Sequence, residues 1–265
     1  MNIVVCLKQV PDTFEVKIDS KTGTLIRKGV PSIINPDDKN ALEAALVFKD
    51  NQGARVTVVS MGPLQAEDSL REALAMGVDE AILISDRAFA GADTLATSTA
   101  LAAAINKLDY DIIFAGGQSI DGKTAQVGPK LAELLGIAQV TCVEEVMTVN
   151  GDTLKIKKAL EDGYEVLTVK TPVLLTTIEG LNTPRYINMS NVFKTSKIEI
   201  KKWNAGDIGV DKFLLGISGS ATKIFSYWVK EKKGRGGERK GEVVDLPYKE
   251  AAAYIVAKLR EKHII

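Results

Sequence analysis

IIFAGGQSIDGKTAQ, residues 112–126, decides the fold. Ile112–Ala115 is a short apolar run of the buried-strand type, and Gly116–Gln126 is a glycine-bearing turn. The spacing then predicts a helix over Thr124–Leu135, closed by Gly136. Strand, glycine loop and helix form the repeating unit of a parallel sheet, because a parallel neighbour is reached only by a crossover on a sheet face. The same unit recurs upstream. Ile3–Leu7 reads as a strand, and Asn35-Pro36-Asp37-Asp38 as an N-cap, a proline at the first helical position and acids in the first turn. That helix runs to about Asp50, with Leu42, Ala45, Leu46 and Lys49 on one stripe. Arg55–Met61 is the next strand, and Gln65–Met76 a helix with Ala66, Leu70, Ala73 and Leu74 on one face and Gly77 as its C-cap. Ala81–Ser85 is a strand, after which Asp93 or Thr94 caps an alanine-rich helix to about Lys107. Continuous apolar strands alternating with helices argue for an α/β, doubly wound, mostly parallel sheet covered on both faces.

After Val140 the pattern changes. Glu145–Val149 and Thr153–Ala159 flank Asn150-Gly151-Asp152, a hairpin signal, and Tyr164–Lys170 and Val173–Thr177 add alternating strands. This is an added antiparallel strand region. From about Glu179 regular periodicity is lost, and Gly234–Gly241 is glycine-rich and basic. A last helix over about Lys249–Lys262 has a stripe of Tyr248, Ala252, Ile255 and Leu259. The expected division is a domain over 1–190 and an extended C-terminal arm over 191–265. With scattered Phe193, Trp203, Phe213, Phe225 and Trp228, the arm has little core of its own. It needs a surface to pack on, either a partner's or its own domain's.

Of the 265 residues, 34 are basic and 34 acidic, which removes the electrostatic footprint of a nucleic-acid binder. The two cysteines, Cys6 and Cys142, make no disulfide framework and fit a reducing compartment. The opening MNIVVCLKQVPD has no basic n-region or cleavage pattern and reads as a first strand. No apolar run approaches the ~18 residues of a membrane span, so the expectation is a soluble, cytoplasmic protein. The single histidine, His263, lies three residues from the C-terminus, where fraying is the default. This argues against histidine-based catalysis and against a zinc site. Any chemistry falls to a bound cofactor.

Residues 117–124 match G-x-x-x-x-G-K-T, the phosphate loop of nucleotide hydrolases. Glycines let backbone N–H groups approach an anion, Thr124 offers a hydroxyl, and a helix N-terminus favours negative charge. Two features oppose hydrolysis: the loop follows the fourth strand, and the downstream strand Val173–Thr177 ends in Thr, not in an acid that could hold Mg²⁺. A phosphate cradle, an ATPase loop and a plain strand–helix turn all remain open at this point, as does a nucleotide sensor without redox chemistry. Loops at one edge of a parallel sheet share a crevice. Here they are Lys8–Pro11, Met61–Pro63, Phe89–Thr97 and Gly116–Gly128. Thr94 and Thr97 are ordinary caps or, with Thr124, hydroxyls at two helix starts that suit a nucleotide with more than one phosphate.

At these residues the sequence resembles the β (small) subunit of electron-transfer flavoproteins. The ordered blocks are KQVPDT at 8–13, SIINPDD at 32–38, VTVVSMGP at 56–63, REALAMGVDEAIL at 71–83 and AGGQSIDGKTAQVGP at 115–129. Lys158–Thr176 fits the family signature, and LNTPRY at 181–186 and GDIGVD at 206–211 extend the match into the arm. The resemblance implies a Rossmann-like, adenine-nucleotide-binding sheet and a heterodimer whose larger α subunit is embraced by the arm. In ordinary members the small subunit holds a structural AMP, and the only FAD belongs to the α subunit. In the electron-bifurcating branch the same site holds FAD, which accepts hydride from NADH. One electron then passes to ferredoxin or flavodoxin, and the other travels through the α-subunit flavin to a flavin-containing dehydrogenase. Asp121–Pro129 and Gly91–Thr97 are similar to the bifurcating branch; Lys123 and Gly117 depart from its commoner charges.

The resemblance also assigns residues. Cys6, Lys8 and Gln9 end the first strand beside the nucleotide, Asn35, Pro36, Asp37 and Asp38 start the next helix at the crevice, and Met61 packs near the ring. Cys6 and Met61 read equally well as core packing. Thr94 and Thr97, with Gly122, Lys123, Thr124, Ala125, Gln126, Val127 and Gly128, make the diphosphate contacts, while Asp121 fixes the loop. Leu181 resembles the apolar anchor of a partner-recognition loop that includes Asn182, Pro184, Arg185 and Tyr186. No residue of this chain is expected to act as a catalytic acid or base.

Overall fold

In the computed structural model, which describes residues 1–12, 31–222 and 244–264, β1 (Asn2–Cys6) runs through the interior of a parallel sheet. Its side chains alternate between two apolar layers: Ile3 and Val5 join one core cluster, Val4 and Cys6 the other. A strand with no polar face is what burial on both sides demands. A short hairpin, β2 (Gln9–Pro11) and β3 (Ser32–Ile34), precedes α1 (Pro36–Gln52). Then follow β4 (Arg55–Met61), α2 (Glu67–Met76), β5 (Glu80–Ile84), α3 (Thr94–Ile105), β6 (Ile112–Gly116) and α4 (Val127–Leu135). The chain continues through β7 (Ala138–Asn150), β8 (Thr153–Leu160), β9 (Gly163–Lys170) and β10 (Val173–Thr177). Short elements close this unit: α5 (Met189–Thr195), β11 (Lys201–Trp203), α6 (Ala205–Ile208) and α7 (Gly216–Gly219).

Among the described residues nine strands form one sheet in the order β11-β5-β4-β1-β6-β10-β7-β8-β9. The strands from β11 to β10 pair in parallel, and β8 and β9 are antiparallel additions. Helices α1 and α2 cover one face, where Leu42, Leu46, Leu70 and Leu74 meet Ile112, Phe114, Val173 and Leu175. Phe48 and Phe114 pack with ring centroids 5.9 Å apart. The other face meets α3 and α4 through Ala100, Ala104, Ile105 and Leu131. Each large apolar side chain fully buried this way contributes about 1.5–3 kcal/mol relative to exposure.

Three features differ from the sequence reading. The expected helix over Thr124–Leu135 starts at Val127, because Lys123 and Ala125 hold φ of 51° and 53° in the left-handed region and interrupt it. Strand β7 begins at Ala138, beside β10, and bends at Cys142 (φ 56°) before entering the hairpin with β8. The compact unit also runs past residue 190. Ile200 is buried in one core layer, Ala205, Ile208 and Leu215 in the other, and β11 extends the sheet beyond β5. A second unit contains α8 (Tyr248–Glu261), none of whose side chains is buried within it, with Tyr248 and Ile255 well exposed. The glycine-rich stretch 234–241, Phe225 and Trp228 lie outside the described residues.

Candidate functional site

The carboxyl ends of β1, β4 and β6 and the starts of α1, α3 and α4 bring most of the expected site residues to one edge of the sheet. The loop after β6 divides into two parts there. In the first, Asp38 accepts from the backbone N–H of Lys8 at 2.7 Å and of Gly116 at 3.0 Å. One carboxylate thereby ties the end of β1 to the end of β6. Asp37 accepts from Gln118 N at 3.1 Å, and Thr177 Oγ1 donates to Asp37 O at 2.9 Å. Asn35 holds the α1 N-cap position, but its side chain does not cap. It donates to Gln118 O at 2.8 Å and accepts from Ile120 N at 3.1 Å. Pro36 sits exposed at the first helical position. Gly116 is required by this closeness: a Cβ there would overlap Asp38 Oδ1 and lie 2.8 Å from Asp38 N.

Burial sets the chemistry of this anchor. It pushes Asp38 up to about 7, against the pull of the Lys8 and Gly116 amides and of Asn35. It also raises Asp37, with Gln118 N opposing and Glu179 adding to the rise. Cys6, buried beside Asp38, is pushed up to about 12 and stays a thiol. Burial would raise Asp121 too, yet Lys8, with its Nζ 2.6 Å from Asp121 Oδ1, outweighs it and holds the carboxylate below its usual range. Lys8 Nζ also donates to Ser119 Oγ at 3.2 Å. Asp121 thus faces a lysine of its own chain and holds the loop.

The second part of the loop is its rim. Gly122, Lys123, Thr124, Ala125 and Gln126 are exposed, and Lys123 N closes a turn on Ser119 O. Among the described residues the N–H groups of Gly122, Thr124, Ala125 and Gln126 meet no protein acceptor. Left-handed residues at Lys123 and Ala125 are of the backbone kind found in anion-binding nests. The start of α3 lies across from them: Thr94 Oγ1 donates to Gln126 Oε1 at 2.8 Å. Lys130 Nζ lies 2.7 Å from Thr94 Oγ1 and 3.2 Å from Gln126 Oε1. Lys130 was missed in the sequence, where it looks like any surface lysine. The expected helix start at Thr124 put it in the second turn, and only the observed start at Val127 brings this cation into the first turn, against the macrodipole.

Other expected residues are more peripheral. Thr97, half-buried, lies one turn into α3, and Gln9 is buried in β2 with Nε2 3.0 Å from Gln65 O. Met61 is half-buried at the end of β4 and packs against the α3-side core, as Cys6 does within it. Val127 packs against that core as well, and Gly128 is buried where a Cβ would lie 2.5 Å from Thr176 Cγ2. The partner segment lies on α1 instead. Asn182 and Arg185 bond to Asn40 and Glu43, and Pro184 lines two adjoining clefts. Leu181 is half-buried against the core, whereas Tyr186 is 97% exposed.

The donor set fits a nucleotide phosphate: unsatisfied backbone N–H groups, hydroxyls and a lysine between two helix starts, with no carboxylate among the described rim residues 122–126. It does not fit a P-loop, which places its Lys-Thr at the first helical turn; here Lys123 and Thr124 precede α4. Fold and edge define a class, a doubly wound α/β domain with its polar donors gathered at the carboxyl ends of the strands. Residues 22–208 match the electron transfer flavoprotein domain. Over its full length, and that of the relative, the chain is 66% identical to the electron transfer flavoprotein subunit beta of Clostridium acetobutylicum. It is 56% identical to the subunit of the same name from Thermoanaerobacterium thermosaccharolyticum, again with 100% of both chains covered. With subunit CarD of the caffeyl-CoA reductase-Etf complex of Acetobacterium woodii it shares 51% identity, also over 100% of both chains. The chain belongs to the electron transfer flavoprotein family, among its β subunits. No helix among the described residues is long and apolar enough to cross a membrane.

Proposed function

We propose that this β subunit, paired in the cytoplasm with an electron transfer flavoprotein α subunit, holds an FAD at the rim of the β6–α4 loop and serves electron bifurcation from NADH. The observation that carries this reading is the exposed run Gly122–Gln126, in which the N–H groups of Gly122, Thr124, Ala125 and Gln126 have no protein acceptor among the described residues and the Gln126 side chain meets Thr94 and Lys130. Several exposed amides before α4, beside the Thr94 hydroxyl and the Lys130 ammonium, match a diphosphate better than the single phosphate of AMP. When bound, FAD supplies hydride acceptance from NADH and separate electron transfers to ferredoxin or flavodoxin and, through the α-subunit flavin, to a flavin-containing dehydrogenase. The chain's residues bind and orient. Gly122–Gly128, Thr94, Thr97 and Lys130 would hold the diphosphate, Asp121 with Lys8 keeps the loop in place, and the Asn35–Asp38 turn supports it from beneath. In this reading Cys6, Gln9 and Met61 shape the floor. Residues 181–186 dock the dehydrogenase, and the arm's α8, with no buried side chain, packs on the α subunit.

The heterodimer should oxidise NADH only when ferredoxin and a flavin-containing dehydrogenase with its substrate are both present. An undiminished rate with the dehydrogenase alone contradicts bifurcation and favours an ordinary single-flavin carrier.

A further inference from the structure

We propose that Glu43, assisted by Asn40, is the positioning residue that fixes the 182–186 segment in the form a flavin-containing dehydrogenase meets; this rests on reading that segment as the docking loop. Both residues lie on α1 and are only 6% and 4% exposed, an uncommon burial for an acid and an amide. Glu43 receives four hydrogen bonds from a single residue. Arg185 N donates to Oε2 at 3.0 Å, Nε to Oε1 and Oε2 at 3.1 and 2.9 Å, and Nη2 to Oε1 at 2.9 Å. Arg185 Nη2 also reaches Asp50 Oδ2 at 2.8 Å. One turn earlier, Asn40 Nδ2 donates to Asn182 O at 2.8 Å, and Asn182 Nδ2 donates back to Asn40 O at 2.9 Å.

These bonds fix backbone as well as side chain, since the Arg185 amide and the Asn182 carbonyl are both engaged. Core packing does not explain them: apart from Leu181, the segment contributes nothing to either apolar cluster. What the clamp does fix is the base of Tyr186, which projects fully into solvent. Tyr186 borders a cleft of about 460 Å³ with Lys39 and Ile187, which shares Lys39 and Pro184 with a second of about 480 Å³ bordered by Asn40 and Asn182. A segment already ordered in the free subunit loses less entropy on binding, so the clamp acts on affinity and not on the electron-transfer step itself.

The test uses the heterodimer, reduced with dithionite and mixed in stopped flow with an oxidised acyl-CoA dehydrogenase that the wild type reduces. Glu43→Gln and Asn40→Ala should each raise the half-saturating dehydrogenase concentration about tenfold. The limiting rate, the bound nucleotide and the rate with a small dye acceptor should be unchanged. Tyr186→Ala separates the two layers of the inference. If it raises half-saturation while both clamp variants leave it at the wild-type value, the role of Glu43 is overturned and the docking reading stands. Wild-type values in all three overturn both.

Discussion

Residues 116–121 and 122–126 follow one another in a single loop, yet they are held in opposite ways. The first stretch gives its amides to Asp37, Asp38 and Asn35 and its Asp121 to Lys8; the second leaves four amides without a protein acceptor among the described residues. A satisfied network rigidifies, whereas exposed donors without a protein acceptor are left to water or a ligand. The residue types therefore mislead. The carboxylates and amide nearest the crevice, Asp37, Asp38 and Asn35, brace the loop, and the plain sequence Gly-Lys-Thr-Ala-Gln is the part that stays exposed.

Gly116→Ala should show the largest effect. Its methyl group would enter the space of Asp38 and Asp37, costing about 3 kcal/mol of unfolding free energy by overpacking. Denaturant titration of the heterodimer measures it, and a wild-type midpoint would mean that the anchor yields freely.

Asp38 gives a smaller, pH-dependent effect. Its folded-state pKa of about 7 lies above the unfolded value of about 4, so the folded protein keeps a proton that the unfolded chain has released. Stability from this group is full below about pH 4 and is lost as pH rises through about 7. Relative to the wild type, Asp38→Asn should therefore gain ground between about pH 5 and about pH 8, whatever its offset. A constant difference across that range would show an anchor carboxylate that is ionised throughout.

For stability, the rim should register least. Lys130→Ala should leave unfolding within about 0.5 kcal/mol of the wild type, yet weaken nucleotide retention about tenfold. Equal retention after extended dialysis would remove Lys130 from the binding surface and blur the distinction between the two stretches.

Much of the fold is legible because β1, β4, β6 and β10 are buried on both faces and are therefore mostly apolar. Strand β11, Lys-Lys-Trp, is not. It pairs on one side only, and Lys201 and Lys202 meet Glu80 and Glu67, partners more than a hundred residues away. The start of β7 hid for a related reason: Ala138-Gln139-Val140 becomes a strand only beside β10, which comes later in the chain. At the site, Asn35–Asp38 and the glycine loop could both be read, but not the bonds joining them across roughly eighty residues. Local pattern finds helix starts; it does not show which donors the fold leaves unpaired.

The most direct test is the nucleotide content of the intact heterodimer, denatured after purification with its α subunit and assayed for FAD and AMP. Two FAD and no AMP per pair is the predicted result, with one flavin assigned to this chain. One FAD and one AMP would contradict it, leaving the rim of the β6–α4 loop to hold the single phosphate of a structural nucleotide.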